Sequence, residues 1–325
     1  MPSRPASGLL LPYLGLLGLA LMWGLSFFFI KVAVGGHDLS PTALVLIRVA
    51  SATLTLGGIL AVTRRRPLPP AIRRELPALV GMAVLSSVIP FVLIAWGELY
   101  ISSGTASILN ATTPLWTAVL AYWVTPAERP SRTNYLGVAA GFIGTAVLVG
   151  PELIRHGLNG TTLGVLAVLI GALSYAAAAL LQRRRLAGAP PIAASLWQMG
   201  FASLFMIPIA APTLPAVHLH AGSLAAALIL GVGGSGVAYI LYYYLLNSLG
   251  ATRASTVTFL LPVTAVFWGA FLLRETVTVA MLAGMAIILG GIFLTSRNVR
   301  PRARPAASPV PSRPSLDKRG ADPRT

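Results

Sequence analysis

The sequence predicts an all-α integral membrane protein: ten transmembrane helices laid out as two five-helix repeats of inverted orientation. Three observations predict it. Apolar runs recur from residue 9 to residue 295, a five-span pattern occurs twice, and basic residues collect in alternate loops. With 56% hydrophobic and 10% charged residues, the chain does not have the composition of a water-soluble globular domain.

In chain order, a short cytoplasmic N-terminus (1–8) leads into span one, Leu9–Val34. The next four are Thr42–Val62, Pro77–Trp96, Gly104–Val124 and Tyr135–Val149. These five form the first repeat, 9–150. The second repeat, 160–296, holds Leu163–Leu181, Ile192–Ala211, Ser223–Leu246, Ala254–Leu273 and Val279–Thr295. Most approach the ~20 residues that cross ~30 Å of hydrocarbon. The fifth and tenth are the shortest and hold matching places. Span one is long enough to cross and lacks a small-residue cleavage site, so it reads as a retained helix and not a signal peptide. Residues 297–325 are rich in Pro, Arg, Ser and Ala with no apolar period, and read as a disordered basic cytoplasmic tail.

The repeat is visible residue by residue. A shift of 148 pairs Ala106 with Ala254, Ser107 with Ser255 and Pro114 with Pro262. After a one-residue slip, Glu128 meets Glu275, Gly137 meets Gly284, Ala139 meets Ala286 and Gly144 meets Gly291. An odd number of spans per copy makes the copies antiparallel, the architecture of alternating-access carriers.

Charge gives the orientation independently. With the N-terminus in the cytoplasm, the inside loops collect Arg64, Arg65, Arg66, Arg73, Arg74, Arg129, Arg132, Arg183, Arg184, Arg185 and Arg253, besides Arg4 and the basic tail. The opposite side keeps Arg155 and Arg274, with Lys31 at the edge of span one. Both termini are therefore read as cytoplasmic. The formal charge of +16 belongs to this asymmetry, and no nucleic-acid partner is expected. Arg supplies all but two of the basic residues, a bias that, with abundant Ala, Gly and Pro, looks like that of a GC-rich bacterial genome.

The chain has no cysteine, which removes disulfides, thiolate chemistry and cysteine-bound metal. His37, His156, His218 and His220 fall in predicted loops and read as solvated. No metal site, cofactor or catalytic constellation is expected, so the chain is not read as an enzyme.

The stretch Ala20-Leu-Met-Trp-Gly-Leu-Ser-Phe in span one, Leu46-Ile-Arg-Val in span two and Gly250-Ala-Thr-Arg-Ala-Ser entering span nine resemble the EamA-like drug/metabolite transporters. The proline in mid-span, followed by a polar loop with a glutamate and a glycine-rich helix, recurs in both halves. The resemblance covers residues 12 to 296. It implies a carrier in the bacterial plasma (inner) membrane, two five-helix bundles around a central cavity built from helices one, three, four, six, eight and nine, of a kind that commonly exports amino acids, other metabolites or toxic compounds. A scaffold or regulatory protein that retains the carrier fold is the alternative. The expected partners are a small-molecule substrate and the lipid bilayer, with the protein a monomer or homodimer.

Arg48 is the sharpest single residue, about 9 Å inside span two. A buried arginine costs at least ~2.5 kcal/mol at mid-membrane, so it needs a partner. It either anchors an anionic group of the substrate through its bidentate fork or pairs structurally with Asp38 or Glu98. In the second repeat its place is taken by Gly200. Lys31 is expected to snorkel to the interface. No acidic residue is placed at mid-membrane; Glu98, at the rim of span three, is the one candidate for ion coupling, and exchange without a carboxylate relay is expected.

Pro114 and Pro262 are the hinge candidates, expected to free the carbonyls of Asn110 and Thr258. Other polar and aromatic residues inside spans complete the substrate-site candidates: Trp23, Ser26, Trp96, Asn110, Tyr175, Gln198, Tyr239, Tyr243 and Thr258. As readily, such residues anchor helices at the interface or pack them together. The small-residue faces Gly137/Gly141/Gly144 and Gly284/Gly290/Gly291 are expected to allow close helix packing.

Overall fold

A computed structural model of the protein describes residues 7–36, 38–124, 132–157, 159–217, 220–249 and 256–296. Among these there are helices and no strands. In order they are α1 Ser7–Gly35, α2 Pro41–Val62, α3 Pro70–Arg74, α4 Leu76–Ala83, α5 Ile89–Gly97, α6 Ser103–Asn110, α7 Thr113–Val124, α8 Arg132–His156, α9 Gly160–Arg185, α10 Pro191–Ala210, α11 Ala221–Ile229, α12 Ala238–Leu249, α13 Val257–Leu272 and α14 Val279–Ser296. Polar side chains start several of them. Ser40 accepts from the Ala43 amide (3.1 Å) ahead of Pro41, Ser102 from the Thr105 amide (3.1 Å), and Asn159 from the Thr162 amide (2.9 Å).

Seven segments among the described residues are long and apolar enough to cross a membrane: Leu11–Gly35, Pro41–Val62, Leu76–Gly97, Thr133–Pro151, Gly160–Arg185, Pro191–Pro215 and Ala221–Tyr242. Two shorter apolar helices, Val257–Leu272 and Val279–Thr295, accompany them. The expected fourth span is broken into α6 and α7. Large apolar side chains such as Leu54, Ile143, Ile207 and Phe271 face outward, the surface that a bilayer covers and water would not.

Two helices contain π-helical turns. Val84–Val88 joins α4 to α5, and Leu230–Val237 joins α11 to α12. A π turn carries one residue beyond the α pattern and re-aims the side chains that follow it. The first brings Ser86 and Ser87 inward, the second Gly234 and Ser235.

The helices gather at two distinct ends. At one, Arg185 pairs with Glu75 (3.1 Å) and the Trp197 indole donates to the Pro67 carbonyl (2.8 Å). This basic end joins the C-termini of α2 and α9 to α3 and the start of α10. At the other, Ser223 donates to Asp38 (2.6 Å), Thr213 contacts Ser40 (2.8 Å), and Lys31 donates to the carbonyls of Glu98 and Ile101. His220 also approaches Asp38 there, at 3.9 Å, a carboxylate neighbour that the sequence did not reveal.

Within this frame α1 packs along α13 and against α11 and α12, while α9 packs along α5 and against α6 and α7. The helices α2 and α10 lie against each other, as do α8 and α14. Glycines set the closest crossings. A Cβ on Gly137 would lie 2.6 Å from the Gly291 carbonyl, and one on Gly144 would lie 2.9 Å from the Gly284 carbonyl. The small-residue faces therefore do bring α8 and α14 together. Gly290 is the exception in that set, because a side chain there meets open space.

Candidate functional site

A cavity of about 380 Å³ lies among α1, α2, α4–α7, α9, α12, α13 and the two π turns, within the size range of small-molecule sites. By their places along the helices, Ile30, Arg48, Phe91 and Ile94 are the lining residues toward the Lys31 end; at the other extreme is Gln182, which is exposed and adjoins Arg183–Arg185. The mouth thus faces the basic end. At the opposite end an apolar cluster that includes Val34, Leu39, Leu44, Ile101 and Ala227 closes it.

Arg48 dominates the polar character of the wall. Its Nε donates to Ser235 Oγ (3.0 Å), and the guanidinium carbon lies 3.7 Å from the centre of the Phe91 ring. A cation over an aromatic face is stabilised by the ring's negative surface. Neither expected carboxylate pairs with it: Asp38 receives Ser223 instead, and Glu98 makes no hydrogen bond to it. Among the described residues no acid forms an ion pair with Arg48, which is itself a lining residue of the cavity.

Of the other sequence candidates, Trp23, Ser26, Asn110, Tyr175, Tyr239 and Thr258 line the same cavity, and so does Pro114. Trp23 is held by its indole donating to the Gly234 carbonyl (3.2 Å), and it meets Tyr239 edge-on and Tyr242 at 5.5 Å. Asn110 presents a buried Oδ1 with no hydrogen-bond partner. Its carbonyl, expected to be free, accepts from Thr113 Oγ1 (2.8 Å).

Several expectations need correction. Trp96 is not in the cavity wall; it packs on Tyr100 with ring centres 4.9 Å apart. Gln198 is buried behind the wall, donating to Ser87 (3.0 Å) and Ser86 (3.4 Å) of the first π turn. Lys31 does not snorkel but turns inward to two backbone carbonyls. The hinge prolines are not equivalent. The helix breaks just before Pro114, which opens α7, whereas α13 continues through Pro262, and Pro262 is not among the lining residues. Tyr243 lies on α12, but its side chain is outside the described residues, as are Glu128 and Arg253. Sequence reasoning missed Gln182, Tyr242, Ser86 and Ser235. Helical spacing carried a signal for two of them: Tyr175 and Gln182 are seven apart, and Tyr242 follows Tyr239 by three.

The profile of the EamA-like transporter family matches residues 10–150 and, a second time, residues 162–297. The chain belongs to the EamA-like transporter family. Its relatives span almost the same length. The "Uncharacterized transporter YoaV" of Bacillus subtilis is 24% identical over 87% of this chain and 96% of its own. The "Uncharacterized inner membrane transporter YedA" of Escherichia coli K12 is 27% identical over 93% and 96%. The "Probable terminal-alkyne amino-acid exporter" of Streptantibioticus cattleyicolor is 28% identical over 88% and 94%. A solved crystal structure superposes with a TM-score of 0.61 at 16% identity, over 90% of this chain and 98% of that one, a likeness of fold alone. The protein is accordingly a multi-pass membrane protein of an EamA transporter fold, with a small-molecule substrate and the bilayer as its partners.

Proposed function

We propose that this EamA-like protein is a secondary carrier of ten transmembrane helices, built as two inverted repeats (9–150 and 160–296). It exports amino acids or related small metabolites across the bacterial plasma membrane by alternating access. Both termini and the basic end lie in the cytoplasm. The observation that carries the reading is a mostly apolar cavity with a few convergent polar groups, reaching exposed Gln182 at the basic end and closed by an apolar cluster at the other, with Arg48 in its wall and no acid among the described residues paired to it.

The packing supports the inverted repeat. Helix α1 on α13 has its counterpart in α9 on α6 and α7, and α1 on α11–α12 in α9 on α4–α5. Gly137 meets Gly291 while Gly144 meets Gly284, so the matched glycines exchange partners across the crossing. The two π turns are related by the same shift of 148 that matches Pro114 to Pro262, which brings Ser87 onto Ser235. Each serine is contacted from the other repeat: Ser235 by Arg48 and Ser87 by Gln198. Gln198 is therefore the counterpart of Arg48, not Gly200. One pair opens to the cavity with a charge and the other is buried without one. The site has the backbone symmetry of the repeats and a single-sided charge.

Arg48 holds the carboxylate or other anionic group of the substrate. Asn110 Oδ1 accepts from its amine, and Trp23, Tyr175, Tyr239 and Tyr242 cover its apolar part, with Ser26 and Thr258 as further polar contacts. The relative named as an amino-acid exporter agrees with this ligand chemistry. The test is counterflow in proteoliposomes with a panel of labelled amino acids, at equal pH and sodium on both sides. Exchange of at least one zwitterion is expected, and its loss in Arg48→Ala. Exchange limited to cations, or none with any metabolite class, overturns the reading. A reporter fused after Arg185 should be cytoplasmic and one within residues 212–222 external; the same side for both refutes the inverted repeat.

A further inference from the structure

Glu98 differs from the other acidic residues whose side chains are described. Asp38 accepts from Ser223, Glu75 pairs with Arg185, and Glu275 accepts from the Ser103 amide (2.8 Å), the Ser103 hydroxyl (2.9 Å) and the Gly104 amide (3.2 Å). Glu98 is fully buried, and neither of its carboxylate oxygens has a hydrogen-bond partner. It stands immediately outside the spanning segment Leu76–Gly97, one helical turn beyond Ile94 of the cavity wall. That position is inside the closed end of the protein, against the apolar cluster that separates the cavity from the far side.

The charges that face it are few. Lys31 comes from α1, but its ammonium donates to the backbone carbonyls of Glu98 and Ile101 and not to the carboxyl. Arg48 on α2 and Glu275, in the segment before α14, act at longer range, and α9, packed along α5, brings no charge to this end. Burial outweighs the two cations and pushes the Glu98 carboxyl well above the usual carboxylate range, with Glu275 adding to the effect. An acid with no donors inside an apolar seal is tolerated when it keeps its proton. A carrier must part this seal to release substrate on the far side, and water then reaches the same carboxyl.

We propose that Glu98 is a proton-binding site that governs the seal. A proton taken from the medium on the far side accompanies closure, and the same proton returns to that side when the seal parts. The proposal rests on the alternating-access reading. It links the conformational equilibrium to external pH without moving a net proton, in keeping with exchange that needs no ion gradient.

The sign follows from linkage. The carboxyl falls back to the ordinary carboxylate range when water reaches it in the open form and is raised above that range in the sealed form. Below the ordinary range both forms hold the proton and pH has no effect. Between the two values the sealed form binds the extra proton, so each unit of rising pH favours opening about tenfold. Above the raised value the effect is spent.

The absence of any native cysteine supplies the experiment. Ala227, fully buried in the closed cluster on α11, is replaced in Ala227→Cys, and its rate of reaction with a membrane-impermeant maleimide is followed against pH in the full-length protein in nanodiscs. The ratio of this rate to that of Ala227→Cys/Glu98→Gln cancels the ionisation of the thiol itself. The ratio is expected to climb with pH by up to about tenfold per unit, then level off. A ratio independent of pH overturns the proposal. If the Gln variant does not fold, Lys31→Gln serves: loss of the ammonium moves the opening midpoint to higher pH, and an unmoved or lowered midpoint overturns it. Neither readout needs a substrate. Absent counterflow with an intact pH response would fail the carrier reading alone, and normal counterflow with a flat ratio would fail this proposal alone.

Discussion

The motif Ala20-Leu-Met-Trp-Gly-Leu-Ser-Phe contains a glycine whose role can be put on an energy scale. Gly24 sits where α1 crosses α13, beside Trp23 of the cavity wall. A Cβ there would collide with Thr264 Oγ1, lie 2.8 Å from the Thr264 Cβ and lie 2.9 Å from the Ala265 amide nitrogen. The last of these is backbone, so a rotamer change cannot relieve the whole overlap. Thr264 Oγ1 also donates to the Ala20 carbonyl (2.9 Å), a bond that its displacement would break. Gly18, on the same helix, has nothing within 4 Å of the corresponding Cβ. Alanine gains about 1 kcal/mol over glycine in a helix at either position. At Gly18 that gain stands. At Gly24 it is opposed by overpacking of about 1–3 kcal/mol and a lost hydrogen bond of about 1 kcal/mol, leaving a net loss of roughly 1–3 kcal/mol. For a chain of this size, roughly 2 °C accompanies each kcal/mol. Gly24→Ala should therefore lower the midpoint of thermal unfolding in detergent by about 2–6 °C, and Gly18→Ala should raise it by about 2 °C. Thr264→Ala should recover part of the loss in the Gly24→Ala background and none in the Gly18→Ala background. Shifts of the same sign and size in the two single variants would refute the close-crossing argument.

Arg48→Ala and Arg48→Lys should both reach the membrane and both lose exchange of anionic or zwitterionic substrates, because lysine cannot reproduce the planar fork; counterflow beside a surface-expression assay checks this. Gln198→Leu leaves the buried Ser86 and Ser87 hydroxyls without their donor and should destabilise the protein by about 1–3 kcal/mol, seen as a lower unfolding midpoint. Glu275→Ala strips the cap from the start of α6 and should cost about 1–2 kcal/mol in the same measurement, with Glu275→Asp recovering part of it.

Long apolar runs and the two-fold repetition of Pro114, Gly137 and Gly144 were legible because they depend on residue type and spacing alone. Arg48, Tyr175 and Tyr239 were legible for a related reason: a charge or hydroxyl inside an apolar run needs an inward destination. Gln198 had the same signature yet serves the wall from behind, since sequence gives depth in the membrane but not the direction a side chain faces. The π turns at Val84–Val88 and Leu230–Val237 had no signature, because a change in hydrogen-bond register belongs to no residue type. They are what hid Ser235 as the partner of Arg48. Glu98 does stand at the end of span three, but its burial was not legible, because it comes from helices far away in sequence, among them α1 and α9. The break between α6 and α7 was likewise hidden, as Pro114 and Pro262 read alike while only the first sits at a helix boundary.

The π turns also determine where this site tolerates a change of length. Each holds one residue in surplus over an α-helix and absorbs it in a wider turn. Deleting one residue within Val84–Val88 would therefore restore a regular helix and leave Phe91, Ile94 and Glu98 facing as they do, the loss falling on Ser86 and Ser87. The same deletion in α2 between Pro41 and Arg48, where no surplus stands, would rotate one part of that helix against the other by about 100°. Arg48 could then keep Ser235 only if the start of α2 turned away from its neighbours. The fold can shed a residue where it carries one too many and nowhere else along these walls.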